Sequence, residues 1–181
     1  DEGMWPFDHL PKAALKKKYN FDATDAWVAH LRKSSVRLAG GCSGSFVSGS
    51  GLTLTNHHCA QDCLSRLSTP QSDLMKTGFY AKTASEERTC PGYTVQQLGE
   101  IKDVTARVQQ ATQGLSGEAF HAAFRAESAR IEKECSTGEE LTCEVVSLYH
   151  GGLYQLYQFR RYSDVRLVLA PELDIASFGG D

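Results

Sequence analysis

The 181-residue chain lacks any apolar run approaching the roughly 18–20 residues of a membrane-spanning helix, so no span is expected. It also lacks a surplus of either charge. Its 19 Lys and Arg stand against 22 Asp and Glu, a net charge of −3, which argues against a nucleic-acid partner held by phosphate attraction. The one local excess, Lys16-Lys17-Lys18 beside Leu15 and Tyr19, reads as a solvated face. There is no internal repeat, no low-complexity tract and no Pro/Gly/Ser linker, so residues 1–181 read as one domain without an internal boundary. Cysteine is scarce as well. Six cysteines, about 3% of the chain, are too few to define a small disulfide scaffold, and the fold must rest on a hydrophobic core. No basic-then-apolar leader stands at Asp1-Glu2-Gly3-Met4-Trp5, so an exported protein would here be mature from its first residue.

What is present has an ordinary globular balance, 41% hydrophobic and 23% charged, which argues against disorder. Residues 1–23 carry aromatics and prolines without a clear period and read as an irregular arm. Thr24 or Asp25 caps a short helix over Ala26, Trp27, His30 and Leu31. From Cys42 the texture turns to strand: Ser45-Phe46-Val47 and Leu52-Thr53-Leu54-Thr55 flank the turn Ser48-Gly49-Ser50-Gly51 as a hairpin. With Val47 facing Leu52, Cys42 lies opposite His57 and Cys59 two residues further on, so a Cys42–Cys59 bridge is geometrically reasonable. Residues 60–68 read as a short helix, and residues 69–92 as polar and turn-rich. Residues 93–98 and Ile101 follow as strand, then a helix over 104–113 capped by Asp103 and a longer one presenting Phe120, Phe124 and Ile131. Strand-like stretches at 144–149, 154–162 and 165–169 complete the pattern. Ile175, Ala176 and Phe178 keep the texture apolar up to Asp181, which reads as a piece of a longer polypeptide.

The chemistry concentrates at Thr55-Asn56-His57-His58-Cys59, where the hairpin ends. A histidine just before a half-cystine, at the start of a helical turn, has its backbone restrained while its ring reaches a cleft. Imidazole is the usual base for a serine nucleophile, because its unperturbed pKa of about 6.5 lies near working pH. Ser43, Ser45, Ser48 and Ser50 are close in sequence, yet none sits in a Gly-x-Ser-x-Gly elbow.

Gly41-Cys42-Ser43-Gly44-Ser45-Phe46-Val47 with Leu54-Thr55-Asn56-His57-His58-Cys59 resembles the first-barrel motif of chymotrypsin-like serine peptidases, and more narrowly the S46 dipeptidyl peptidases. Glu2-Gly3-Met4-Trp5 resembles that family's mature amino terminus. Tyr154-Gln155-Leu156-Tyr157, residues Arg161 to Leu167, Ala170-Pro171-Glu172 and Phe178-Gly179-Gly180-Asp181 resemble its later blocks, in order along the whole chain.

The resemblance implies a mainly β fold with helical insertions, the first and incomplete barrel of a chymotrypsin-like double β-barrel. It implies a periplasmic or secreted serine exopeptidase, dimeric as the full enzyme, that releases dipeptides from peptides with a free amino terminus. No metal or organic cofactor is implied. The triad histidine maps to His58, with His57 facing elsewhere by strand alternation. The family's aspartate block and Gly-Asn-Ser-type serine turn are not matched here, and Asp181 falls in the wrong block to serve as the triad carboxylate. The partner of this segment is then the remainder of the same polypeptide, and the chain alone is expected to be inactive. Apolar strand edges around Tyr154–Leu169 are expected to lie open in it.

Cys135 and Cys143 flank a polar turn and read as its staple, which leaves Cys63 and Cys90 to each other. Two rivals stand beside this reading. One is a non-catalytic secreted module that kept the barrel. The other is a structural zinc site from His57 or His58 with Cys59 and Cys63, which fall i, i+4 on a helix; their spacing matches no common zinc module, and Cys42 competes as a disulfide partner.

Overall fold

A computed structural model describes residues 3–138 and 140–178. Glu2, Gly179, Gly180 and Asp181, which belong to two of the blocks above, lie outside the described residues. In chain order the elements are α1 (Lys12–Tyr19), α2 (Asp25–Ser34), β1 (Ser35–Leu38), β2 (Ser43–Phe46), β3 (Thr53–Thr55), α3 (Gln61–Leu67), α4 (Leu74–Thr77), β4 (Phe79–Tyr80) and β5 (Arg88–Thr89). They continue as β6 (Val95–Asp103), α5 (Thr105–Thr112), α6 (Gly117–Cys135), β7 (Leu141–Leu148), β8 (Leu153–Tyr162), β9 (Arg166–Leu167), β10 (Leu169–Ala170) and α7 (Leu173–Phe178). Six strands form the main sheet, in the order β3-β2-β1-β6-β8-β7, and β10-β4 and β5-β9 are two-stranded ribbons. This is the expected mainly β framework with helical insertions, and among the described residues the main sheet stays open rather than closing into a barrel.

The chain divides into two compact units. The first holds the residues up to Ser34 and Gln97–Arg161. Its core is Val108, Ile131, Tyr154 and Leu156, with Phe124, Val145 and the Cys135–Cys143 disulfide packed against it. Strand β8 pairs with β7 in antiparallel register from Leu141↔Arg160 to Leu148↔Leu153. Tyr154, Leu156 and Phe159 are buried, Tyr154 and Leu156 in the core they share with Val108 of α5 and Ile131 of α6, and both edges of β8 are flanked by β6 and β7. The open edge expected around Tyr154–Leu169 is therefore absent from β8, and the outer strands of the sheet are β3 and β7.

Helix α5 starts where Asp103 accepts the Thr105 N–H at 2.8 Å, as the sequence predicts. It is tied to α6 by Arg107, which grips buried Glu127 at 2.6 Å and Glu134 through two bonds of 2.6 and 2.9 Å. The same unit corrects the reading of residues 1–23. Lys12–Tyr19 is helical, stopped by Asn20 in the left-handed conformation (φ 51°), whose N–H bonds back to the Leu15 carbonyl. Lys16, Lys17 and Lys18 occupy its last turn, where positive charge suits the helix dipole.

The second unit holds Ser35–Gln96 and the residues from Tyr162 onward. It has two small cores. One joins Val36, Leu38 and Val95, with Cys42, Phe46 and Tyr162 against them. The other gathers Cys63, Leu64, Leu74, Cys90, Leu167 and Ala170. No helix of the described residues is long and apolar enough to cross a membrane.

Candidate active site

The hairpin β2–β3 keeps the expected register. Gly44 pairs with Thr55, Ser45 with Leu54 and Phe46 with Thr53, and the Val47 N–H reaches the Leu52 carbonyl at 2.8 Å. Glycine is required at position 44, since a Cβ there would stand 2.7 Å from the Leu54 carbonyl oxygen and 3.0 Å from Leu38 Cδ1. Serine hydroxyls build the hairpin. Ser48 Oγ accepts the Leu52 N–H at 3.0 Å and lies 3.0 Å from Ser50 Oγ, while the Ser45 hydroxyl donates to the Phe46 carbonyl at 3.3 Å. These three serines are turn and strand chemistry, as their sequence context indicates.

Beyond β3 the chain passes through extended Asn56 into a 3₁₀ turn, His57–Ala60, that runs on into α3. The Cys59 N–H closes the turn on the Asn56 carbonyl at 3.1 Å. Cys59 is bonded to Cys42 with 6.1 Å between α-carbons, within the range a disulfide accepts. The Tyr93 hydroxyl donates to the Cys59 carbonyl at 3.1 Å and accepts the Cys63 N–H at 3.3 Å. Cys63 is fully buried and bonded to Cys90. All six cysteines thus form the three expected pairs.

The two histidines differ in setting. His58 is exposed on the turn, whereas His57 is half-buried and its Nε2–H donates to the Pro171 carbonyl at 3.0 Å. They part because successive residues of a 3₁₀ turn, at three per turn, project about 120° apart, and strand alternation plays no part. Pro171 was legible only as part of a motif; nothing local marks it as a partner of residue 57.

Cys42, His58 and Cys59 bring three ligand-type atoms within 4.8 Å of one another. Both sulfurs belong to one disulfide, and Cys63 belongs to another, so the thiolates that a zinc site needs are already consumed. What remains is an exposed imidazole on a covalently restrained backbone. On the same unit, an open cavity of about 390 Å³ is lined by Tyr80, Leu169, Pro171, Glu172 and Ile175 among others, and Pro171 is also the residue whose carbonyl His57 meets.

The family model described as Peptidase S46 matches residues 1–181. The chain belongs to the S46 peptidase family. Within it, dipeptidyl-peptidase 7 of Porphyromonas endodontalis is 34% identical over 189 residues, covering 100% of this chain and 23% of its own length. The Asp/Glu-specific dipeptidyl-peptidase of the same organism is 32% identical over 193 residues, covering 100% of this chain and 27% of its own. The crystal structure of P. endodontalis DPP11 in an alternate conformation superposes with a TM-score of 0.85 at 30% identity, over 100% of this chain and 28% of that one. The structure of DPP11 in complex with substrate gives 0.83 at 29% identity over the same shares. The chain therefore spans about a quarter of the length of these S46 relatives.

Proposed function

We propose that this chain is the amino-terminal part of a serine exopeptidase that releases dipeptides from peptide amino termini, and that it supplies the triad histidine, His58, from an incomplete first barrel. The observation that carries the reading is the setting of His58. It is exposed, it stands at the end of a hairpin, and its backbone is held by the adjoining Cys42–Cys59 disulfide. Membership of the S46 family supports the reaction class, as do relatives named dipeptidyl-peptidases and a DPP11 structure in complex with the dipeptide Arg-Glu.

The reaction is acyl transfer. His58 takes the proton from a serine hydroxyl as that oxygen attacks the scissile carbonyl, then gives it to the leaving amine as the tetrahedral intermediate collapses. Water repeats the sequence on the acyl-enzyme and frees the dipeptide. The serine, and the aspartate that holds the imidazole tautomer, come from the remainder of the polypeptide. In this reading the enzyme works in the periplasm or outside the cell, which the three disulfides support because they favour an oxidising compartment, and it works as a homodimer like the family it resembles.

The test is His58→Ala in the full-length enzyme, assayed on fluorogenic dipeptidyl substrates. Turnover should fall by about four to six orders of magnitude with the melting temperature unchanged, as expected when a general base is lost rather than a packing group. A folded His58→Ala enzyme with near-wild-type turnover overturns the reading.

A further inference from the structure

We infer that His57 is a positioning residue for His58, acting through its hydrogen bond to the Pro171 carbonyl; the inference rests on the reading of His58 as the general base. The His58 side chain is carried by the backbone of a four-residue turn, so a shift of that backbone moves the ring. Downstream of His58 that backbone is held at Cys59, through the bond to Cys42 and through the Tyr93 hydroxyl on the Cys59 carbonyl. Upstream, the β2–β3 ladder ends at Thr55, two residues short of His57. The His57 Nε2–H bond to the Pro171 oxygen, at 3.0 Å across 114 residues of sequence, supplies the hold on that side. The residues immediately before and after His58 are thus each tied to a different part of the unit.

The acceptor is well placed for this role. Pro171 follows β10, whose Leu169 and Ala170 pair with Tyr80 and Phe79 of β4. At Gly78, just before β4, a Cβ would stand 2.9 Å from the Ala170 carbonyl oxygen, so the two segments are in close contact. Proline also has a fixed φ, so the segment that carries this carbonyl has one backbone rotation fewer. Loss of the donor releases the upstream side of the turn and lets the His58 ring drift from the serine. A displacement of about 1 Å at a catalytic group costs on the order of a hundredfold in rate. Because His57 touches the turn and not the substrate, the loss should appear in kcat and leave KM nearly unchanged.

The experiment compares His57→Gln with His57→Glu in the full-length enzyme, alongside His58→Ala. The two side chains are nearly isosteric, but only the glutamine amide donates to the Pro171 carbonyl; an ionised glutamate repels it. His57→Gln should keep kcat within about fivefold of wild type, whereas His57→Glu should lose about 10- to 100-fold in kcat with KM within about threefold. Should His57→Glu fail to fold, His57→Met, which has no donor, is read in its place with the same expected loss. Equal kcat for the donor and non-donor variants overturns the inference, whether both are active or both impaired. A His57→Glu loss carried mainly by KM overturns it too, because the residue then contacts substrate. Activity surviving in His58→Ala removes the general-base reading itself, and is a separate result from either His57 outcome.

Discussion

The β2–β3 hairpin with its following turn and the α5–α6 helix pair with β7–β8 show two ways of holding side chains in place. The helix pair and its strands hold by length. Helix α6 runs from Gly117 to Cys135, β7 and β8 pair along their whole shared register, and Glu127 is buried between Arg107 and Arg130. The hairpin has little of this. Val47, Leu52 and Leu54 are largely exposed, β3 is three residues long, and the turn beyond it is fixed by point tethers at Cys59 and His57. Distributed packing tolerates the loss of one contact, whereas a turn held at two points does not. In the role proposed for His58 the ring must be fixed within a fraction of an ångström, and point tethers suit that need while leaving the ring exposed.

The largest expected contrast sets His58→Ala against Glu127→Gln in the full-length enzyme. The first should abolish turnover without moving the melting temperature. The second should leave kcat intact and destabilise the first unit by about 1–2 kcal/mol, below the 3–5 kcal/mol of a wholly buried pair because Arg107 and Arg130 reach solvent. A Glu127→Gln enzyme that loses turnover while keeping its stability would break the contrast.

Next in size is the comparison of two disulfides. Cys42–Cys59 closes a separation of 17 residues and Cys135–Cys143 one of 8. The chain-entropy model gives about 3 and about 2.5 kcal/mol respectively, so paired Cys→Ser replacements should cost similar stability. They should differ in activity. Loss of Cys42–Cys59 should lower kcat in the fraction that stays folded, and loss of Cys135–Cys143 should leave kcat unchanged. Chemical denaturation and steady-state kinetics on the same preparations decide it, and equal kcat losses would count against a special role for the His58 turn.

The smallest effect is that of acid on the helix pair. The Arg107 guanidinium holds the Glu134 carboxyl below the usual carboxylate range, and bonds from Thr105 do the same for Asp103. Groups with lowered folded-state values contribute their stability above the ordinary carboxylate pKa of about 4 and lose it as pH falls through the lowered values. Protection factors for the amides of α5 and α6, corrected for the intrinsic pH dependence of exchange, should therefore fall as pH drops below about 4. Protection that stays flat across that window would show these contacts to be without weight.

Much of the site was legible because it is local. The four-residue turn at Ser48–Gly51 sets the hairpin register, the register places Cys42 opposite His57, and Cys59 then falls within reach of Cys42. Helix α3 and the Asp103 cap of α5 came from equally short-range signals. Helix α1 leaves no clear signal in the sequence because Pro11 and the surrounding aromatics blur its period and it buries no residue; its stop and its ion pairs to Asp22 and Asp25 stabilise it instead.

The sequence alone determined the hairpin, whose residues lie a few positions apart, and the cysteine pairing, which follows from the hairpin register for Cys42–Cys59, from a short polar turn for Cys135–Cys143 and from elimination for Cys63–Cys90. Tertiary structure decided the rest. The place of β8 between β6 and β7 depends on strands far apart along the chain, so both of its edges, expected to lie open, are paired. The partner of His57 is a proline carbonyl 114 residues away. A backbone carbonyl is the same group at every residue, so no side-chain pattern announces which one an imidazole will meet; only the folded path of the chain selects it.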